Sequence, residues 1–242
     1  GFIAKLPQFF GFTEEFFYQR NIAFVVFPLL AAYFAWKQNT PVKRIVIASI
    51  AILVSVLYIN LLPNNNQSDT LILACLHLPL FLWAVLGFTY LGDDIKNDNR
   101  RLDFLRYNGD LVVMTAIILL AGGLFTALTI NLFSLIDIHI EEFYFRNIAI
   151  WGLAAAPIVG TYLVQTNPQL VNKVSPVIAK IFTPFVLVTL VVYLVAVIYT
   201  GKDPYNDREF LLIFNLLLVG VMAITFFSIA ESSKISSSKI TT

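Results

Sequence analysis

An all-helical bundle that crosses a membrane several times is the fold class this sequence predicts, on three observations. Hydrophobic residues make up 58% of the 242 and charged residues only 13%, about half the charged share of a water-soluble domain. The mean hydropathy is +0.79. The apolar residues fall in long blocks divided by short polar joints, and runs such as Leu71 to Leu76 and Leu187 to Val192 are nearly unbroken. A transmembrane β-strand would instead alternate apolar and polar residues, so the blocks are helices. A soluble enzyme, a disordered chain and a disulfide scaffold are excluded by the same arithmetic.

A hydrocarbon core about 30 Å thick needs about 20 apolar residues at 1.5 Å each. Seven stretches approach that length: Asn21 to Trp36, Ile45 to Leu62, Thr70 to Leu91, Leu111 to Ile136, Ile148 to Val164, Val177 to Tyr199 and Phe210 to Ala230. The first and fifth are the shortest, and are expected to extend back through Phe16, Phe17 and Tyr18 and through Phe143, Tyr144 and Phe145 as interfacial turns. Turn formers and helix breakers mark the joints, in Asn39-Thr40-Pro41, Pro63-Asn64-Asn65-Asn66, Gly92-Asp93-Asp94, Thr166-Asn167-Pro168 and Gly201-Lys202-Asp203-Pro204. Between Asp93 and Asp110 acids and bases alternate, and a short interfacial helix through Leu102, Phe104 and Leu105 is expected there. The organisation is thus a first membrane repeat over 1–110 (three spans and the charged loop), a second over 111–231 (four spans), and a polar tail over 232–242.

Basic residues are retained on the cytoplasmic side of short joints. On alternate joints the seven spans place eleven Lys and Arg on one side and five on the other, which predicts an outer N-terminus and an inner C-terminus. The net charge is +1, with basic residues scattered singly, so nucleic acid is not the expected partner. The expected partners are the lipid bilayer and either another membrane protein or further segments of the same chain. The chain opens at Gly1 rather than methionine and is read as part of a longer protein. Cys75 is the single cysteine and lies in an apolar run, where it reads as a small buried apolar residue. No glycine-rich phosphate loop, His-Glu zinc pair or nucleophile elbow occurs, so no cofactor or metal set is legible.

The most informative feature is internal. Glu14-Glu15-Phe16-Phe17-Tyr18-Gln19-Arg20-Asn21-Ile22-Ala23 recurs, one residue shorter, as Glu141-Glu142-Phe143-Tyr144-Phe145-Arg146-Asn147-Ile148-Ala149. Each copy opens a span and is followed by an Asn-Thr-Pro or Thr-Asn-Pro joint, the pattern of a parallel repeat. A second echo relates Gly92-Asp93-Asp94 to Gly201-Lys202-Asp203, though an odd number of spans separates the two. The sequence also resembles an uncharacterised bacterial membrane family, domain of unknown function 4153. The likeness rests on Arg101-Leu102-Asp103-Phe104-Leu105-Arg106 before the long fourth span, on Ile140-Glu141-Glu142-Phe143-Tyr144 with Trp151 after it, and on Tyr193-Leu194 before the Gly201 to Glu209 loop. It implies a polytopic protein of a bacterial inner membrane, and brings with it no catalytic or ligand residue.

The candidate polar site is the doubled acidic cluster, Glu14, Glu15 and Arg20 with Glu141, Glu142 and Arg146. One reading is two helix starts, where carboxylates favour the positive end of the helix dipole and arginine pairs with them. The other is a cation or substrate vestibule formed where the repeats converge. His77 sits inside the third span between Cys75 and Pro79. It is either a functional ionisable group or a neutral imidazole bonded to a carbonyl that Pro79 frees. His139 lies beside Glu141 and Glu142, an isolated imidazole for any metal. Asn131, Gln165 and Asn215 read as interhelical hydrogen bonds. Gly152, Ala156 and Gly160, at i+4 spacing on the fifth span, predict a small-residue stripe for close helix packing. Function is expected to be that of a transporter-like unit or a subunit of a membrane complex, the alternative being a non-transporting scaffold. Intramembrane catalysis would have only His77 to draw on.

Overall fold

The computed structural model describes residues 2–11, 13–64, 68–166 and 174–201, with scattered positions between 208 and 226. Among them all regular structure is helical: α1 (Leu6–Phe10), α2 (Glu14–Asn21), α3 (Phe27–Lys37), α4 (Val42–Leu61), α5 (Asp69–Leu91), α6 (Asp98–Leu135), α7 (Glu141–Tyr144), α8 (Ile150–Thr166) and α9 (Val174–Thr200). Five helical stretches are long and apolar enough to cross a membrane: Val42–Leu61, Asp69–Leu91, Asp98–Leu135, Glu141–Thr166 and Ile181–Thr200. The chain is a multi-pass helical membrane protein, with five such spans among the described residues against the seven expected.

The first expected span is lost as a continuous helix for a local reason. After α2 the chain tightens into a 3₁₀ turn over Ile22–Val25, and α3 starts afresh at Phe27 with only 11 residues. Pro28 has no amide to give to the Phe24 carbonyl, and the Val25-Val26 pair crowds the preceding turn. Of the seventh expected span, Phe210 to Ala230, only part lies among the described residues. The expected short interfacial helix is also absent as a separate element. Its residues are the first turns of α6, a helix of 38 residues, in which Phe104 is buried while Leu102 and Leu105 stay exposed.

Two compact units make up the chain, Gly1–Val112 with Leu153–Tyr162, and Val113–Gly152 with the chain from Leu163 onward. The first division falls within α6 and the others within α8.

In the first unit α3, α4 and α5 pack together, and one end of the core is aliphatic. There Ala23 and Phe24 meet Ile59 of α4 and Leu78 and Leu82 of α5. The other end is aromatic. Phe34 lies edge-on to Tyr90 (4.8 Å between centroids) and to Tyr107 (5.0 Å), and Tyr90 stacks on Tyr107 at 5.6 Å and leans on Phe104 at 5.2 Å. Such pairs add about 0.5–1.5 kcal/mol each beyond area burial. Hydroxyls close the same end: Thr40 Oγ1 donates to the Thr89 carbonyl (3.3 Å), and Tyr107 Oη bonds Thr161 Oγ1 at 2.9 Å. Gly92 ends α5 with φ +51°, a left-handed conformation that disfavours any Cβ.

In the second unit Leu132 and Phe133 of α6 and Ile136 just after it form a core with Tyr193 of α9, whose ring lies edge-on to Phe133 at 5.4 Å. Phe182 of α9 passes over Gly122, so that a Cβ there would make ordinary contact at 3.7 Å with the ring.

Candidate functional site

The first copy of the repeated motif is a joint between helices. Arg20 is the largest fully buried side chain among the described residues, 1% exposed. Its Nη1 donates to the carbonyls of Ile59 (2.7 Å) and Leu62 (2.8 Å), and Nη2 to that of Pro63 (3.2 Å). A helix leaves its last four carbonyls without amide partners and carries partial negative charge at that end. The guanidinium therefore caps α4 from outside, supplying both donors and the matching charge. The Phe16 ring lies 4.4 Å from Arg20 Cζ and covers it, while Nε has no partner among the described residues. Beside it Asn21 and Asn60 form a reciprocal carboxamide pair, each Nδ2 donating to the other's Oδ1 at 3.0 and 2.9 Å. Tyr18 Oη donates to the Ala4 carbonyl at 2.9 Å and ties the first turns to α2. Burial, with a smaller push from the Glu14 carboxylate, raises the Tyr18 phenol above its ordinary value, so it keeps this proton at neutral pH.

The second copy has the same residue types in another arrangement. Glu142 and Arg146 form an exposed ion pair at 3.5 Å, and Asn147 Nδ2 donates to the Phe143 carbonyl within its own helix. Here the backbone widens into a π-turn over Phe145–Ala149 where the first copy tightens to 3₁₀. A one-residue difference in spacing accounts for the divergence. At about 100° per residue, Arg146 stands about 40° from Glu142, four positions earlier, whereas Arg20 stands about 140° from Glu15, five earlier. Arg20 is turned away from its acids and toward α4. The helix-start reading with arginine pairing thus describes the second copy only.

Among the described residues no three of His, Cys, Asp and Glu lie close enough to hold a metal ion, Glu14, Glu15, Glu141, Glu142 and His139 included. His77 is exposed on α5, and its Nδ1 lies 2.8 Å from the Leu73 carbonyl four residues earlier. That bond differs from the expected one, because the carbonyl that Pro79 frees belongs to Cys75. Asn131 donates to the Ala127 carbonyl of its own helix rather than to a neighbour. Of the small-residue stripe, Ala156 and Gly160 are buried but Gly152 is exposed, with open space where a Cβ would stand. The stripe is therefore shorter by one turn than the spacing predicts. Ala156 is 2% exposed, so Ala156→Leu is expected to lower detergent-melting stability by about 1–3 kcal/mol through overpacking. Gly152→Leu is expected to leave stability within about 0.5 kcal/mol. Equal melting of both variants would show that Ala156 is not a packing contact.

No family model matches the chain, and no curated protein and no solved structure matches it.

At the end of the first unit opposite Arg20, charged side chains meet around an open cleft of 590 Å³ lined by Arg44, Asp93, Asp94, Ile95, Lys96 and Asn97. Arg44 pairs with Asp93 at 3.1 Å and donates to the Gly92 carbonyl, and Arg100 reaches Asp94 (3.4 Å) and Gln38 (3.5 Å). The α3–α4 and α5–α6 joints thus share one end, with Lys37 and Lys43 beside them. The close helix approach that sequence reasoning missed is at Gly87 of α5, where an added Cβ would stand 3.1 Å from Phe104 Cε1. A lone glycine within an apolar run was the only signal for it.

Proposed function

We propose that this chain is a helix-packing subunit of a larger membrane assembly. The observation that supports it is where the buried polar groups of the first unit go. Arg20, Asn21 with the half-buried Asn60, Thr40, and Tyr107 with Thr161 make bonds that hold one segment to another, while Ser55 and Thr89 bond carbonyls of their own helices. A solute pathway needs polar groups turned toward a lumen, whereas these are turned toward protein. Meanwhile His77 and Asn131, polar residues inside apolar helices, face outward. The likeness to domain of unknown function 4153 and a bacterial inner-membrane location belong to the same proposal. Native-state mass measurement after mild extraction is its test: the chain should travel in a particle heavier than the 27.2 kDa monomer and its lipid. A lone monomer that restores ion flux to empty vesicles would overturn it in favour of a transporter.

The orientation that fits is the basic end of the first unit in the cytoplasm. In a Cys75→Ala background, Asn64→Cys is expected to react with an impermeant thiol reagent from outside and Asn99→Cys only after the membrane is opened. External labelling of Asn99→Cys would reverse the orientation.

A further inference from the structure

We infer that the outward face of α5 around His77 docks a transmembrane helix of another chain that carries a hydroxyl or carboxamide hydrogen-bond donor at the depth of His77. The inference rests on the subunit reading above and names the surface it would use. His77 stands about 12 Å into a helix about 34 Å long, so it lies inside the apolar span whatever the small vertical shifts of the helix. Around it on the same face are Leu73, Leu76 and Leu80, each more than half exposed. Ionisable side chains inside spans almost always face protein or a water-filled cavity, because hydrocarbon offers them no partner. An imidazole on an outer face therefore marks that face as an interior of the assembled state.

The hydrogen bond already made says what the partner must bring. A carbonyl oxygen has no proton to give, so in the bond between Nδ1 and the Leu73 carbonyl the ring nitrogen is the donor. In the neutral ring Nε2 then carries the lone pair and points away from its own helix as an acceptor. An acceptor in an apolar setting is satisfied by O–H or N–H. A second copy packed α5 against α5 would bring Nε2 against Nε2 at one depth, acceptor facing acceptor. The complement is a different helix with a serine, threonine, asparagine or glutamine at that level.

The test uses the full chain in lipid vesicles and labelled guest helices of about 20 leucines, one with a central serine and one without. By fluorescence transfer the serine guest is expected to bind the wild-type chain at least about threefold more tightly than the all-leucine guest. His77→Leu should abolish that preference, and His77→Gln, whose amide oxygen also accepts, should keep part of it. Nitrogen NMR of the wild-type chain should show the proton on Nδ1 and a hydrogen-bonded Nε2 only with the serine guest. Equal binding of both guests, a preference unchanged in His77→Leu, a proton on Nε2, or His77-dependent pairing of two copies through α5 would each overturn the inference. Failure of the subunit reading is seen separately, as a monomer in the native extract. A heavy particle that persists with no guest preference would leave that reading standing and this face wrong.

Discussion

Arg20→Met is expected to destabilise the protein by about 3 kcal/mol, while Arg146→Met, at the matching place in the recurring motif, costs well under 1 kcal/mol. The two substitutions remove the same charge from the same motif, and the difference lies in what each guanidinium touches. Arg20 makes three bonds to the end of α4 from a site 1% exposed. Hydrogen bonds to a charged group contribute about 1.5–3 kcal/mol each, and part of that total is offset by relief from burying a guanidinium. Methionine fills the volume but leaves three carbonyls without donors. Arg146 has an exposed pair with Glu142, of the kind that contributes about 0–1 kcal/mol. Arg20→Lys should recover part of the loss, since an ammonium supplies the charge but not the planar fork. Denaturant titration in micelles measures all three, and limited proteolysis should cut near Thr13 in Arg20→Met first. Equal losses for Arg20→Met and Arg146→Met would mean that the cap on α4 carries no stability.

Gly87→Leu is expected to cost about 3 kcal/mol or more, and Gly87→Ala to fall within about 1 kcal/mol of neutral. An added Cβ meets Phe104 at 3.1 and 3.3 Å, tight enough to move the ring by a few tenths of an ångström. Alanine gains up to about 1 kcal/mol of helix propensity over glycine, which offsets that strain. Leucine must displace a buried ring that also contacts Trp83, Tyr90 and Tyr107, and overpacking of this kind costs about 1–3 kcal/mol and occasionally more. Phe104→Ala in the Gly87→Leu background should restore part of the loss, and that coupling is the measurement that matters. Additive losses would place the strain elsewhere than at the α5–α6 contact.

The sequence by itself determined the class of fold and most of its elements. Apolar runs at Ile45 to Leu62, Thr70 to Leu91 and Val177 to Tyr199 became α4, α5 and α9 within a few residues, because a helix in lipid must satisfy its own backbone and run the full apolar length. Composition carries that information without any knowledge of neighbours. The recurrence of the Glu-Glu motif was also legible, and so was the register difference between Glu142–Arg146 and Glu15–Arg20.

Tertiary structure alone decided what the register difference does. That Arg20 finds the carbonyls of Ile59, Leu62 and Pro63 depends on where the end of α4 lies, a contact across about 40 residues that no local spacing encodes. The outward aspect of His77 escaped sequence reasoning for a related reason: α5 is apolar on every side, so its pattern marks no buried face. The loss of the first span as one helix turned on the competition between an apolar run and Pro28, which the run's average hydropathy hides. Glycines divided in the same way. Gly152 and Gly87 are equally small in sequence, and only the approach of Phe104 makes Gly87 the contact, because close packing is a property of two surfaces.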